Sequence, residues 1–387
     1  MTQKKSLFSQ GKEIKGLKAV PFALKLFLSS FKSFSSRNLG FPKSLPKMAI
    51  LAITFKCNSK CKTCNVWEYH AKNKGKIKEE MDFNEFKTFI DNNLQLEDIS
   101  LTGGEIFLKD ELVNMWLYMD KKGFRTGGPC NAVNMEITKR KTTELLTNLS
   151  GKNKHLIQFS IDGIGEEHDR IRGIPGNFDN ALELLKWAMD KKKKHKFIEL
   201  SISHNITRTN YKNLPQFIDY FVNLGIKPSQ ISFRPVQISE SRYENLESGE
   251  VFRDISEYKE VIKVIRQIQD KYPVYKQNLF INNLIKYLRN PTKLIAPCYA
   301  GYNFVYINPF WEVFPCSYFD SKLGNLRENN FTLKKIVATK EFKKVGRNIK
   351  KGNCPKCWTT CFGIRSMLSD PIQLPIFCYH NLYRLLK

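Results

Sequence analysis

The stretch that decides the fold is Ile50-Leu51-Ala52-Ile53-Thr54-Phe55, which runs into Lys56-Cys57-Asn58-Ser59-Lys60-Cys61-Lys62-Thr63-Cys64. The short apolar run predicts a buried strand, and the three cysteines then lie on the loop that follows it. Three thiolates at this spacing can hold three corners of a cubane [4Fe–4S] cluster and leave the fourth iron without a protein ligand. An open metal position is typical of a catalytic site.

A zinc site and buried structural cysteines are the alternative interpretations of this motif. Structural zinc takes four protein ligands, and His70 is the only local candidate for the fourth. The iron–sulfur interpretation is therefore favoured.

Short apolar runs alternate with helical stretches on the C-terminal side of this motif. The predicted strands cover residues 50–55, 98–101, 124–131, 155–161, 197–204 and 231–236. The predicted helices cover residues 84–93, 111–121, 178–192, 214–224 and 257–271. This alternation predicts a parallel α/β sheet, either open and doubly wound or closed towards a barrel. In both architectures ligands bind at the carboxyl ends of the strands.

The CxxxCxxC motif after the first strand of an α/β domain resembles that of the radical S-adenosylmethionine (SAM) superfamily. The resemblance implies a partial (β/α)6 TIM-like barrel in which Cys57, Cys61 and Cys64 bind a [4Fe–4S] cluster. It also implies that SAM occupies the open iron. Reductive cleavage of SAM would then give a 5′-deoxyadenosyl radical that abstracts hydrogen from a substrate, so the protein is expected to be an enzyme.

Further residues that resemble the superfamily pattern follow the second, fourth and fifth predicted strands. The resemblance implies that these residues bind SAM: Gly103, Gly104, Glu105, Ser160, Asp162 and Asn205. The glycines permit close backbone approach, and the Glu105 carboxylate supplies a counter-charge for the methionine amino group. An ordinary turn or helix cap is the alternative for each of them.

Two positions depart from the superfamily pattern. Thr63 stands where an aromatic residue often stacks near adenine, and Trp67 or Tyr69 is expected to take that role or to pack structurally. Cys130 closes the third strand, where Thr-Asn-Gly is common. Cys130 is a candidate hydrogen-atom donor or substrate contact, although an inert buried thiol is favoured.

A second group of cysteines has metal-ligand spacing of its own: Cys298, Cys316, Cys354, Cys357 and Cys361. With the hairpin predicted at residues 302–307 and 311–314, this region resembles the SPASM/twitch extension, which implies one auxiliary [4Fe–4S] cluster. The spacing does not decide which four of the five cysteines are ligands. A zinc ribbon is the alternative, since zinc sites use similar CxxC turns.

The net charge of +26 favours an anionic partner or reflects a lysine-rich composition. Residues 1–47 carry ten Lys or Arg against the single acid Glu13, together with several phenylalanines. This leader is predicted to be amphipathic and to pack on the body or to contact an anionic membrane surface. No export signal or membrane span is recognisable, so a reducing, cytoplasmic location, peripheral to the membrane at most, is expected.

The expected organisation is a leader (1–47), a radical SAM core (48–290), an auxiliary-cluster domain (291–370) and a tail (371–387). Expected partners are SAM, a reductant such as flavodoxin or ferredoxin, and an unidentified substrate. Peptide or protein modification is one candidate reaction, and lipid or small-molecule modification is another. An RNA-modifying enzyme and a non-enzymatic two-cluster electron carrier are the alternatives. The first cysteine motif, with only three ligands, argues against the electron carrier.

Overall fold

A computed structural model gives the fold and describes residues 19–40, 44–73, 75–239 and 243–378. Its core consists of six parallel strands that lie side by side in chain order. They are β1 (Met48–Thr54), β2 (Asp98–Gly103), β3 (Arg125–Cys130), β4 (His155–Ser160), β5 (Ile198–Ile206) and β6 (Ile231–Pro235). A doubly wound sheet would reverse its strand order at a switch point, whereas this order does not reverse. The partial barrel is therefore confirmed over the open doubly wound alternative.

Helices connect the strands and cover the sheet. They are α1 (Ala19–Leu39), α2 (Val66–Lys72), α3 (Phe83–Asn92), α4 (Leu112–Lys121), α5 (Met135–Asn148), α6 (Glu166–Arg172), α7 (Asn177–Lys194), α8 (Leu214–Asn223), α9 (Tyr258–Lys271), α10 (Pro273–Lys276), α11 (Leu279–Arg289), α12 (Leu333–Ile336), α13 (Lys340–Lys350) and α14 (Thr360–Ser369). Among the described residues, none of the helices is both long enough and apolar enough to cross a bilayer.

The strands differ in whether buried and partly exposed side chains alternate along them. All seven residues of β1 are buried, as expected for a strand covered on both faces. In β4, buried His155, Ile157 and Phe159 alternate with partly exposed Leu156, Gln158 and Ser160, which line the barrel interior. Because side chains alternate with period two, the buried set packs under the helices and the other set faces the interior. At this strand the barrel interior is therefore lined by one apolar and two polar side chains.

The C-terminal region extends the sheet of the core. Strand β7 (Phe304–Ile307) pairs in parallel with β1, and β8 (Glu312–Phe314) and β9 (Gly324–Asn325) continue the sheet in antiparallel fashion. The hairpin expected from the sequence is thus present at β7 and β8. Glu85, which closes a capping box at the start of α3, also accepts hydrogen bonds from Arg327 at 2.7 Å and Trp311 at 2.9 Å. One sheet and these contacts join the two halves of the chain.

Candidate functional site

A cavity of about 490 Å³ opens at the carboxyl ends of the parallel strands. The three cysteines of the first motif line it: Cys57, Cys61 and Cys64. The predicted SAM-binding residues that line it are Gly103, Gly104, Glu105, Ser160 and Asn205. Residues far apart in the sequence meet here because parallel strands deliver their following loops to one edge of the sheet. The fold therefore brings most of the predicted site into one cavity.

The cysteine loop requires glycine at the last residue of β2 and at the residue that follows it. Gly103 has φ of +145°, and a Cβ there would lie 2.1 Å from the carbonyl oxygen of Thr54. A Cβ on Gly104 would lie 2.3 Å from the carbonyl oxygen of Lys56 and 2.9 Å from Cβ of Cys57. Any larger residue would push the cysteine loop away, since these neighbours are backbone or the first side-chain atom. The glycines hold the loop against the strand.

The thiols of the first motif have hydrogen-bonding and cationic neighbours. Ser59 Oγ lies 3.1 Å from Cys61 Sγ, and Arg172 Nη1 lies 3.9 Å from the same sulfur. Burial raises the pKa of the Cys57 thiol well above its usual value, and nearby Cys61, Glu105 and Cys64 raise it further. Thiolates grouped in this way are stable when bound to a metal, and donors to their sulfurs tune an iron–sulfur cluster. The donor set fits a cluster held by three cysteines.

Helix α6 holds the cysteine loop in place, a role that the sequence did not reveal. The backbone N–H of Lys60 donates to the carbonyl oxygen of Arg172 at 3.1 Å, and that of Lys62 donates to Ile171 at 2.9 Å. Gly173, with φ of +70°, ends the helix, and a Cβ there would lie 2.2 Å from the Lys60 carbonyl oxygen. The C-terminal end of α6 therefore supports the cluster site through its contacts with the cysteine loop.

Glu105 is a buried carboxylate that faces the cavity. Its oxygens accept hydrogen bonds from the backbone N–H groups of Phe107 at 3.0 Å and Asn131 at 2.7 Å. Burial raises its pKa to about 7, while those two hydrogen bonds and the charges of Arg172 and Lys141 lower it. Within the described residues it forms no ion pair of its own, so a cationic ligand group such as an ammonium suits this position.

Asp162 has a different place from the other predicted SAM-binding residues. It is fully buried and is not part of the cavity lining. Its carboxylate accepts the backbone N–H of Asn205 at 2.7 Å and lies 2.7 Å from Arg172 Nε. Burial alone would raise the pKa of Asp162, but Arg172, His204 and the Asn205 N–H hold it below its usual value. Asp162 thus orients Arg172 and Asn205 from behind the cavity wall.

The other candidate residues near the first motif are Cys130, Trp67 and Tyr69, and of these three only Trp67 lines the cavity. Cys130 is 1% exposed, lies outside the cavity lining and has a pKa that burial raises well above its usual value. It therefore has the placement of an inert core thiol. Trp67 lines the cavity and its indole N–H has no hydrogen-bond partner among the described residues, whereas Tyr69 packs against Phe55 at 5.1 Å. Of the two aromatic candidates, Trp67 has the position to contact a ligand.

Four of the five C-terminal cysteines surround a second, smaller cavity of about 30 Å³. They are Cys298, Cys316, Cys354 and Cys357. Burial raises the pKa of Cys298 to about 11 and that of Cys316 to about 12, and each also responds to the neighbouring cysteines of this set. Within the described ranges, no three His, Cys, Asp or Glu side chains are placed to hold a single metal ion. Four thiols around one cavity are the donor set of a [4Fe–4S] cluster.

Cys361 stands apart from these four cysteines. It is exposed, it does not line the smaller cavity, and it faces the barrel cavity from the first turn of α14. The sequence prediction placed Cys361 among five candidate metal ligands. The structure separates it because α14 begins at Thr360 and turns its first residues towards the barrel. Tyr318 and Phe362 line both cavities and lie between them.

The partial barrel with a three-cysteine loop, followed by a four-cysteine cavity, defines an iron–sulfur enzyme. A model of the radical SAM superfamily matches residues 51–229, and a model described as an iron–sulfur cluster-binding domain, SPASM, matches residues 298–361. The chain belongs to the radical SAM superfamily and carries a SPASM domain C-terminal to the radical SAM domain. The predicted cofactors, [4Fe–4S] clusters and SAM, are thereby confirmed as those of its domains.

Curated relatives are distant and differ in what their names describe. The antilisterial bacteriocin subtilosin biosynthesis protein AlbA of Bacillus subtilis is 25% identical over 294 residues, which cover 74% of this chain and 59% of AlbA. The AdoMet-dependent heme synthase of Methanosarcina barkeri is 22% identical over 307 residues, which cover 74% of this chain and 81% of that enzyme. The chain thus spans little more than half of AlbA. These relatives do not define its substrate.

Solved structures share the fold at low sequence identity. SuiB of Streptococcus suis bound to S-adenosylmethionine aligns with a TM-score of 0.57 and 14% identity, covering 81% of this chain and 72% of SuiB. Native anSMEcpe with bound AdoMet and the Cp18Cys peptide aligns with a TM-score of 0.56 and 16% identity, covering 88% of this chain and 98% of anSMEcpe. These similarities concern the fold.

Proposed function

We propose that this enzyme cleaves SAM reductively and uses the 5′-deoxyadenosyl radical to abstract a hydrogen atom from a substrate in the barrel cavity. The observation that carries the proposal is the convergence of Cys57, Cys61 and Cys64 with Glu105 and Asn205 on one cavity. Three cysteines leave one iron of a [4Fe–4S] cluster open, and the polar residues beside them provide partners for an amino acid group.

Residues of the chain hold and orient the reactants. Bound at the three cysteines, a reduced [4Fe–4S] cluster with SAM supplies the 5′-deoxyadenosyl radical. The Glu105 carboxylate would accept hydrogen bonds from the methionine ammonium of SAM, and the positive charge of that ammonium would favour the ionised form of Glu105. Ser160 and Asn205 provide polar contacts from the ends of β4 and β5, and Trp67 offers its ring and its unpartnered N–H. Arg172 places a positive charge beside Cys61.

We propose a peptide as the substrate class. The fold is shared with SuiB bound to its precursor peptide SuiA, with a TM-score of 0.58 and 14% identity, and with anSMEcpe bound to a peptide. A small molecule is the second candidate, because the alignment with the AdoMet-dependent heme synthase covers a larger share of that enzyme than the alignment with AlbA covers of AlbA. The hypothesis of an RNA substrate is supported only by the net charge.

The auxiliary site is proposed to carry electrons. Cys298, Cys316, Cys354 and Cys357 would fill every protein-ligand position of a [4Fe–4S] cluster, which leaves no open iron for substrate. Tyr318 lies between this site and the barrel cavity.

A flavodoxin or ferredoxin is the reductant that we propose for the first cluster.

The proposal predicts that SAM changes the electron paramagnetic resonance (EPR) spectrum of the first cluster. Protein reconstituted with iron and sulfide and reduced with dithionite should show a shifted signal when SAM is added, because SAM becomes a ligand of the open iron. A Cys57/Cys61/Cys64→Ala variant should show only a signal that SAM leaves unchanged. Cys378 is a free cysteine that lines neither cavity, so a Cys378→Ala variant is the control and should respond as the wild type does. A wild-type spectrum that SAM does not alter would contradict the proposal.

We further propose that α1 binds the surface of an anionic membrane. One face of this helix exposes Leu24, Phe27, Leu28 and Phe31, with exposed fractions of 56%, 46%, 60% and 54%. Their spacing of i, i+3, i+4 and i+7 forms a single stripe. The buried face is made of serines, such as Ser30 and Ser33, which is the reverse of ordinary burial. An outward apolar stripe on a basic segment is typical of interfacial helices. Residues 1–18 of the leader lie outside the described residues.

Vesicle flotation tests this membrane proposal. Full-length protein should float with phosphatidylserine-containing vesicles, and a Leu24/Phe27/Leu28/Phe31→Ser variant should stay at the bottom of the gradient. A variant with serine at Leu94, Leu246 and Ile255, exposed apolar residues outside α1, controls for general loss of surface hydrophobicity. Equal flotation of both variants would exclude the α1 face as the membrane contact. A dimer that the α1 variant abolishes, without any flotation, would assign the face to a second copy of the chain.

A further inference from the structure

Arg234 carries a positive charge that no acidic side chain of the described residues balances. It lies at the end of β6 beside Asn205 and lines the barrel cavity. The other arginines of the cavity are each paired: Arg125 with Glu199 at 2.9 Å, Arg172 with Asp162 at 2.7 Å, and Arg365 with Asp98. Arg234 is partly buried in the cavity wall, and a confined charge without a partner favours an anionic ligand.

The groups that affect the pKa of Arg234 are two tyrosines, one cysteine and one carboxylate. Burial would lower the pKa of Arg234, while Tyr318, Cys361, Tyr243 and Asp162 raise it, and the net direction is upwards. Asp162 is already paired with Arg172. Arg234 thus stays charged at every working pH and leaves its donors available to a ligand, and a guanidinium binds a carboxylate through two parallel hydrogen bonds.

The start of α14 supplies a second, independent feature of the same wall. Thr359 precedes the helix, is 2% exposed and lines the cavity, yet its hydroxyl has no hydrogen-bond partner among the described residues. It also makes no side-chain cap for α14, whose ten residues run to Ser369. The first N–H groups of a helix have no partner within the helix and attract anions. A buried hydroxyl and a helix start therefore face the same cavity as Arg234.

We propose that Arg234, Thr359 and the first turn of α14 form an anion-binding subsite that receives a carboxylate of the substrate. The inference rests on the proposed function, because it takes the barrel cavity as the place where substrate binds. It narrows the substrate to molecules with a carboxylate near the reacting carbon, such as an acidic side chain or C-terminus of a peptide, or a small carboxylic acid. SAM also carries a carboxylate, and the test must separate the two sources.

Cys361 is a natural reporter for this subsite, because it is exposed and lines the same cavity as Arg234 and Thr359. Reconstituted protein is treated with iodoacetate, which is an anion, or with iodoacetamide, which is neutral, and alkylation of Cys361 is followed by peptide mass spectrometry. Because both reagents react with the thiolate, changes in thiol ionisation cancel when the iodoacetate rate is divided by the iodoacetamide rate. This ratio therefore reports how strongly the subsite attracts the carboxylate of iodoacetate. We expect Arg234→Gln to lower this ratio roughly tenfold, the size of one charge-assisted hydrogen bond, and Thr359→Val to lower it less.

A control variant and two competing ligands complete the experiment. Arg125→Gln removes a paired arginine of the same cavity and should leave the ratio unchanged. Propionate should slow the reaction of wild-type Cys361 with iodoacetate, and SAM should not. An equal ratio in the wild type and Arg234→Gln would overturn the proposal, and so would a Cys361 that stays unreactive in the reconstituted protein. Protection by SAM equal to that by propionate would assign the subsite to SAM. Alkylation needs no turnover, so failure of SAM cleavage would leave this measurement standing.

Discussion

Replacing Cys357 with alanine is expected to remove about four of the roughly eight iron atoms in reconstituted protein, whereas Cys361→Ala is expected to keep all of them. Cys357 lines the small cavity with Cys298, Cys316 and Cys354, and its pKa responds to each of those cysteines. Cys361 faces the barrel cavity instead. A cluster that loses one of four protein ligands binds much more weakly, because metal affinity and local folding are coupled.

Anaerobic reconstitution followed by iron and sulfide determination measures this difference. The two variants form a matched pair, since both remove one thiol from the same Cys-rich segment and lie four positions apart. Loss of equal amounts of iron from both variants would show that Cys361 is a ligand and would contradict the assignment of the auxiliary site. Zinc in place of iron in protein isolated from cells would support the zinc ribbon alternative.

The sheet could be predicted from the sequence because its strands are short, apolar and separated by helical stretches. Residues 98–101, 155–161 and 231–236 were expected as strands, and β2, β4 and β6 occupy those positions. The order of the strands did not follow from the pattern. Nor did the pairing of β7 with β1, because a parallel contact between residues about 250 positions apart leaves no local signal.

Helix α5 was missed for a physical reason. Its buried side includes Thr138, Lys141 and Thr142, so the apolar periodicity that marks a helix face is weak. Lys141 can be buried because its ammonium donates to the carbonyl oxygen of Lys109 at 2.6 Å.

The site could be predicted from the sequence where its function restricts the spacing of residues along the chain. The three cysteines and Gly103-Gly104-Glu105 are recognisable because a cluster loop and a tight approach restrict both residue type and spacing. Arg172 and Asn131 were missed as site residues, although both line the cavity. Arg172 reaches Cys61 only through the folded loop, and Asn131 Nδ2 reaches Asn58 Oδ1 at 2.9 Å. Contacts between distant loops become visible only in the fold.

The most direct test of the account is the formation of 5′-deoxyadenosine from SAM. Wild-type protein, the Cys57/Cys61/Cys64→Ala variant and the Cys378→Ala control are reconstituted, reduced with dithionite and analysed for deoxyadenosine and methionine. The triple variant loses every protein ligand of the first cluster but keeps the four cysteines of the auxiliary cavity. It should therefore retain about four iron atoms.

The account predicts deoxyadenosine from the wild type and from Cys378→Ala, and an amount from the triple variant no greater than that of a protein-free control. Cleavage by the triple variant at the wild-type rate would place the chemistry outside the three-cysteine loop. A wild-type protein with its full complement of about eight irons that formed no deoxyadenosine would contradict the proposed reaction.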